Sequence, residues 1–249
     1  GLGAIVVDNA STDNSVELAK RNGARVLENE KNEGYGRALN RGVAAAETPE
    51  CLLLNADVRF APEAPARLKA ALLAAPQAVL AGPKLIEPDG RVFALPHSPI
   101  NPPREGACTL LSGAVMLVRR EAFNRLGGFD PNIFLFWEDN DLCRRIIDSG
   151  AKVVLAEDAE MHHLRGGSSE RTPGAIYRSR WHQAWSRFYV FAKYGLASDH
   201  EAWVKRFSGK ARLARLMGAK TRLERYQGSL DGALAFQRGE SALAHEGLA

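Results

Sequence analysis

Residues 134–145 read FLFWEDNDLCRR and concentrate more reactive side chains than any other stretch of the chain. Three carboxylates, Glu138, Asp139 and Asp141, directly follow four bulky apolar residues, Phe134 to Trp137. A carboxyl group beside an aromatic wall is partly desolvated, which raises its affinity for a proton and suits it to act as a general base. A helical pattern takes over from here, with Leu142, Ile146 and Ile147 apolar and Arg144 and Arg145 charged. Acids at a helix start also answer its exposed N–H groups and positive dipole end. That need explains one or two carboxylates, not three against aromatic rings. Asp141 stands four residues before Arg145, the spacing of a helical ion pair.

Three further clusters carry polar groups at the ends of apolar runs. VVDNASTDNS, residues 6–15, puts Asp8 and Asn9 at the end of the first strand, where a carboxylate can accept hydrogen bonds from a base or ribose. Ser11, Thr12 and Asp13 read as turn and cap residues. LLLNADV, residues 52–58, empties a buried strand into Asn55-Ala56-Asp57. An acid at that point can hold Mg²⁺ or Mn²⁺, which take few carboxylates together with waters and substrate phosphates. MHHLRGGSS, residues 161–169, places His162 and His163 before a Gly/Ser loop. Neighbours on a strand face opposite ways, so at most one of them faces a site. NEGYGRALNRG, residues 32–42, opens a helix on Gly34 and Gly36, with Arg37 beside them. A helix start of this kind can receive a phosphate. Leu39 occupies the third glycine position of a dinucleotide fingerprint and loop precedes the motif, which argues against a Rossmann dehydrogenase.

The elements that must position these groups alternate. Strands are predicted at 3–8, 25–28, 51–54 and 79–86, and helices at 14–22, 35–46 and 63–75. This order predicts an α/β fold with a mostly parallel sheet flanked by helices. Ligands of such sheets bind at the carboxyl ends of the strands. Asp89-Gly90 marks a hairpin turn. Residues 96–108 form a proline-rich loop, 110–118 a strand, 120–126 a short helix, and 152–156 and 159–163 two more strands. Residues 164–174 are a mobile loop by composition. From Ala175 to about Gln237 the chain reads as helical, with breaks near Gly195 to Ser198 and at Gly228. Two domains are expected, 1–174 and a helical region 175–249.

The chain has 249 residues, 45% hydrophobic and 25% charged, the balance of a soluble globular protein. No apolar run reaches the ~18 residues of a membrane span, and no secretory signal opens the sequence. Cys51, Cys108 and Cys143 lack CxxC spacing; Cys51 and Cys143 lie in apolar patterns and fit buried thiols, and a reducing cytoplasm is expected. The formal charge of +4 is uneven. Residues 201–225 hold eight Lys/Arg and two Glu, hence +6, which leaves −2 for the rest. Trp203, Phe207, Leu213, Leu216 and Met217 form an apolar stripe among those cations. The stripe fits either a helix packed on the domain or a face resting on an anionic membrane. No reading motif for nucleic acid accompanies the charge.

Six motifs occur in order: VVDNASTD, NEGYGRALNRG, LLLNADV, SGAVMLVRREAFNRLGGFD, FWEDNDLCRR and HHLRGGSS. Together they resemble the family 2 glycosyltransferases of the GT-A fold, in the bacterial subgroup containing rhamnosyltransferases of cell-surface polysaccharide assembly. The resemblance covers roughly residues 3–170. It implies an inverting transferase that moves rhamnose or a hexose from a nucleotide-sugar donor, dTDP-rhamnose or a UDP-sugar. The acceptor is then a hydroxyl of a glycan or polyprenyl-linked lipid, and the enzyme works in the cytoplasm or at the inner face of the membrane. It also implies roles for particular residues. Asp8, with Asn9, Arg37, Asn55 and Asp57, meets the donor. Asp57 and His163, preferred to His162, hold Mg²⁺ or Mn²⁺. Asp139 is the base and Glu138 a supporting acid, while Gly113, Ala114 and Trp137 line the acceptor side. Family members open with one more strand and helix before VVDNAS, so this chain is expected to lack that first strand. The rival readings are a sugar-1-phosphate nucleotidyltransferase, whose Gly-rich phosphate loop is missing here, and a non-catalytic nucleotide-sugar-binding or scaffold member.

Overall fold

A computed structural model describes residues 3–93, 98–104, 106–164 and 174–248. They fall into two compact units. The first comprises residues 1–32, 37–130 and 138–170, and the second 33–36, 131–137 and 171–249. Most of the Gly/Ser loop expected at 164–174 lies outside the described residues, as does part of the proline-rich loop.

The first unit begins with strand β1 (Ile5–Asp8), helix α1 (Ser15–Arg21), β2 (Arg25–Glu28) and α2 (Tyr35–Ala44). It continues with β3 (Glu50–Leu54), β4 (Val58–Phe60), α3 (Ala64–Ala74) and β5 (Ala78–Ile86). Strand β6 (Val115–Arg119), α4 (Arg120–Arg125), α5 (Glu138–Asp148) and β7 (Lys152–His163) complete it. β1 and β2 form a parallel two-stranded sheet. The remaining strands form a five-stranded sheet in the order β3-β6-β5-β7-β4.

The α/β class holds, but the large sheet is mixed rather than mostly parallel. β5 and β7 pair in parallel, whereas β3–β6, β5–β6 and β4–β7 are antiparallel. Strand–helix alternation predicts that β3, β5 and β7 run the same way. It is silent on β6, which inserts in reverse between β3 and β5.

The two faces of this sheet carry separate apolar clusters. Leu68 and Leu72 of α3 pack with Ala81, Leu85, Val115 and Leu117. Leu142, Cys143 and Ile146 of α5 pack with Leu80, Met116, Val118 and Val153 on the other. These three α5 side chains are fully buried, and each buried Leu or Ile contributes about 1.5–3 kcal/mol. That burial anchors the helix whose first turn carries the acids. Strand β6 starts at Val115 rather than Leu110, because the backbone before it leaves the ladder; the Gly113 N–H donates to Asp139 instead.

The second unit contains helices α6 (Ala175–Lys193), α7 (His200–Leu216), α8 (Lys220–Gln237) and the short α9 (Ala242–His245). The break near 195–198 is present, but Gly228 does not break α8. A Cβ at Gly228 or Gly232 would collide with the carbonyl oxygens of Tyr177 and Trp181, so these glycines let α6 and α8 touch backbone to backbone. Phe134, Trp181 and Trp185 form the core of this unit with Ala235 and Ala242. His182, fully buried, contacts Glu246 at 2.7 Å, which ties the end of the chain to α6.

Candidate active site

Asn55, Asp57, Gly113, Ala114, Asp139 and His163 form a connected set at the ends of β3 and β7 and the start of β6. Val58 pairs with His163 in the β4–β7 register, and Arg59 with His162. This alternation turns His163 toward Asp57, with Nε2 3.3 Å from Asp57 Oδ1. His162 is half exposed and lies beside Glu160. The Asn55 N–H donates to the Ala114 carbonyl oxygen at 3.0 Å, joining the Asn-Ala-Asp turn to Gly113-Ala114. The Gly113 N–H donates in turn to Asp139 Oδ2 at 3.1 Å.

Asp139 is held by three hydrogen bonds. Its Oδ1 accepts from the Asn140 N–H at 2.7 Å and from Asn140 Nδ2 at 3.0 Å. A carboxylate offers about four acceptor sites. Three are filled by donors, and the side chain retains partial exposure, so one remains for an incoming hydroxyl. Asn140 was not singled out in the sequence reading, although it stands inside the same motif. Its signal was a side chain able to donate, next to a candidate base.

Glu138 opens α5 and is buried, with Oε2 lacking any hydrogen-bond partner. Burial, reinforced by the neighbouring Asp139 charge, pushes its carboxyl up to about 8. It is therefore a largely protonated acid at neutral pH. Asp141 does a different job. It is fully buried and pairs with Arg145 at 2.8 Å, while the same guanidinium donates to the carbonyl oxygens of Leu126 and Gly128.

Whether a divalent cation fits is decided by Asp57 and Asn55. Asp57 Oδ1 and Asn55 Oδ1 are buried without hydrogen-bond partners. The 3.3 Å approach of His163 brings the imidazole close without making a directed hydrogen bond. Two orphaned oxygens two residues apart, that of Asp57 beside an imidazole, are what an oxygen-preferring cation would satisfy. Among the described residues no group of three or more His, Cys, Asp and Glu is arranged to hold a metal. The set therefore suits an ion completed by phosphate oxygens and water.

Asp8, Asn9 and Arg37 belong to a second group at the end of the β1–β2 sheet. Asp8 is buried and accepts from the Ser11 N–H at 3.0 Å. Asn29 Nδ2 donates to Asn9 Oδ1 at 2.7 Å, and Arg41 donates to Asn29 Oδ1. Asn29 escaped the sequence reading. The signal was its place after β2, since Asp8 pairs with Glu28 and parallel strands end at one edge. Arg37 lies in the first turn of α2. Trp137 belongs to the second unit, with its ring edge-on to Phe191. Both Phe136 and Trp137 have positive φ, 66° and 71°.

The chain resembles solved GT-A glycosyltransferases in fold. It superposes on the crystal structure of GalNAc-T7 with UDP, GalNAc and Mn²⁺ with a TM-score of 0.55 at 17% identity, covering 99% of this chain and 52% of that one. It thus spans about half of that protein. A mannosyltransferase from Pyrobaculum calidifontis in complex with GDP-Man and Mn²⁺ matches with a TM-score of 0.53 at 16% identity, over 96% of this chain and 79% of that one. The chain has the GT-A fold.

Residues 4–127 match the family model of glycosyl transferase family 2, and residues 103–165 that described as the N-terminal domain of galactosyltransferase. An N-acetylglucosaminyl-diphospho-decaprenol L-rhamnosyltransferase of Mycobacterium tuberculosis is 30% identical over 243 residues, covering 81% of this chain and 76% of that protein. The chain belongs to glycosyltransferase family 2, and within it is rhamnosyltransferase-like.

Proposed function

We propose that this glycosyltransferase moves L-rhamnose, with inversion, from dTDP-rhamnose to an N-acetylglucosaminyl lipid diphosphate in cell-surface polysaccharide synthesis. The observation that carries this reading is the unbroken contact path from His163 and Asp57 through Asn55 and Ala114 to Gly113 and Asp139. This path supports a reading in which a cation and diphosphate bind beside a carboxylate with a vacant acceptor site, the arrangement that direct displacement at an anomeric carbon requires.

Asp139 takes the proton of the acceptor hydroxyl, while Gly113 and Asn140 hold it in orientation. Glu138, kept neutral by burial, avoids a second negative charge beside the base. Gly113 and Ala114 form the acceptor floor. Asp57 and His163 would hold Mg²⁺ or Mn²⁺, which when bound offsets charge on a departing nucleoside diphosphate. Asp8, Asn9 and Arg37 receive the nucleotide end. The catalytic domain is 1–174, and 175–249 is a helical region.

We further infer peripheral contact with an anionic membrane at the cytoplasmic face. Among the described residues no helix is long and apolar enough to cross a membrane. At the end of α7, however, Leu213, Leu216 and Met217 are 58%, 78% and 63% exposed beside Arg212, Arg215, Lys220 and Arg222. Exposed apolar side chains among cations suit an anionic bilayer surface. Pelleting with anionic vesicles at low salt tests this contact, and no pelleting ends it. Calorimetry with dTDP and UDP in the presence of Mn²⁺ tests the enzyme reading. Binding of dTDP, weakened together with Mn²⁺ binding in Asp57→Ala, is expected. Binding of neither nucleotide would leave a scaffold, and preference for UDP would change the donor.

A further inference from the structure

A cavity of about 420 Å³ opens in the first unit between β5, β7 and residues within 98–103 and 107–112. The size suits a sugar-bearing ligand. It connects at two points to the residues that hold the base. Ser112 lines it and directly precedes Gly113, whose N–H holds Asp139. Asn101 also lines it, and its Nδ2 donates to the carbonyl oxygen of Asn140 at 2.8 Å.

Its polar groups are incomplete. Ser98 and Asn101 are 5% and 3% exposed, yet Ser98 Oγ and Asn101 Oδ1 have no hydrogen-bond partner. The bond from Nδ2 to Asn140 fixes which way the Asn101 amide points, so Oδ1 is left as an acceptor awaiting a donor. A buried polar atom without a partner is costly unless a ligand or water completes it. Phe93, Leu110 and Leu155 supply apolar wall beside these atoms. Lys84, Thr109, Ser112 and Glu157 add polar lining elsewhere, so the two unanswered atoms are one acceptor and one hydroxyl able to donate, with apolar surface among the lining.

We propose that this cavity is the subsite for the acetamido group of the acceptor sugar, an inference that rests on the glycosyltransferase reading above. The amide N–H donates to Asn101 Oδ1, the amide oxygen accepts from Ser98 Oγ–H, and the methyl lies on the apolar wall. A hydroxyl at the same ring position makes one of these bonds and leaves the wall and the second polar atom unanswered. Ser98 and Asn101 are specificity residues in this scheme, and transfer itself stays with Asp139.

The test uses the full chain, dTDP-rhamnose, Mn²⁺ and two soluble alkyl diphosphates, one bearing N-acetylglucosamine and the other glucose. Transfer to the acetamido acceptor should be favoured in kcat/KM by about tenfold or more, the range expected when a buried polar group loses its partner. Ser98→Ala should shrink that preference. Ala107→Trp, at an exposed lining position where folding is not at stake, should raise the KM of the acetamido acceptor and leave calorimetric dTDP affinity unchanged. Equal kcat/KM for the two acceptors, or an unaltered acceptor KM in Ala107→Trp, overturns the subsite. So does nucleotide binding without transfer to either acceptor. Failure to bind any nucleotide is a different result, since it removes the enzyme reading on which the subsite rests.

Discussion

Glu138→Gln isolates one buried carboxyl and turns it into a measurable slope. In the folded chain this group titrates near 8, against an ordinary value of 4.5, first because burial disfavours its charge and second because Asp139 lies beside it. Between about pH 4.5 and pH 8 the folded chain therefore keeps a proton that the unfolded chain has released. The stability contributed by this group is complete below pH 4.5 and is lost as pH rises to about 8. The loss is about 1.4 kcal/mol per pH unit, roughly 5 kcal/mol in all. That is a large part of the 5–15 kcal/mol typical of a folded domain. Glutamine keeps the shape and cannot ionise, so its own cost is the same at every pH. Urea unfolding of both proteins at pH 5, 6.5, 8 and 9 should show the wild-type midpoint falling relative to Glu138→Gln until about pH 8 and holding level above it. Parallel curves across that range would refute the buried-acid account.

Asp139→Asn should lower transfer by about 10²- to 10⁴-fold, with dTDP affinity retained by calorimetry; near-wild-type transfer would assign the base elsewhere. Arg145→Ala removes the guanidinium from fully buried Asp141 and from two carbonyl oxygens, and should cost about 3–5 kcal/mol in urea unfolding. Gly232→Ala drives a methyl into the Trp181 carbonyl oxygen. It should lower the thermal midpoint more than Gly239→Ala, a position with open space around it but positive φ; the reverse order would mean that α6 and α8 do not rely on that approach.

Local signals were legible wherever a pattern is decided within a few residues. Arg25–Glu28, the break after Lys193 and the Asp141–Arg145 pair all follow from adjacency or helical spacing. The glycine at 228 misled because its reason is tertiary: a backbone on another helix occupies the space where a side chain would be. The start of β6 was misplaced for a similar reason, since the amide of Gly113 is spent on a carboxylate 26 residues away. The three-residue β4 is too short for any periodicity to announce it. Its pairing with β7 nevertheless decides which histidine meets Asp57. The acids themselves were plain in the sequence. Their separate conditions, one triply hydrogen-bonded, one buried and protonated and one ion-paired, came from contacts that only the fold supplies.

Phe136 and Trp137 adopt left-handed backbone conformations immediately before the helix that carries the acids. Such conformations cost a non-glycine residue about 1–2 kcal/mol each. Glycine would relieve that cost at either position, while giving up the packing of the ring, as of Trp137 on Phe191. The same change would widen the range of directions in which the following turn can set out, and with it the aim of Asp139. Two aromatic residues in that turn thus set local backbone ease against a fixed heading for the chain that follows.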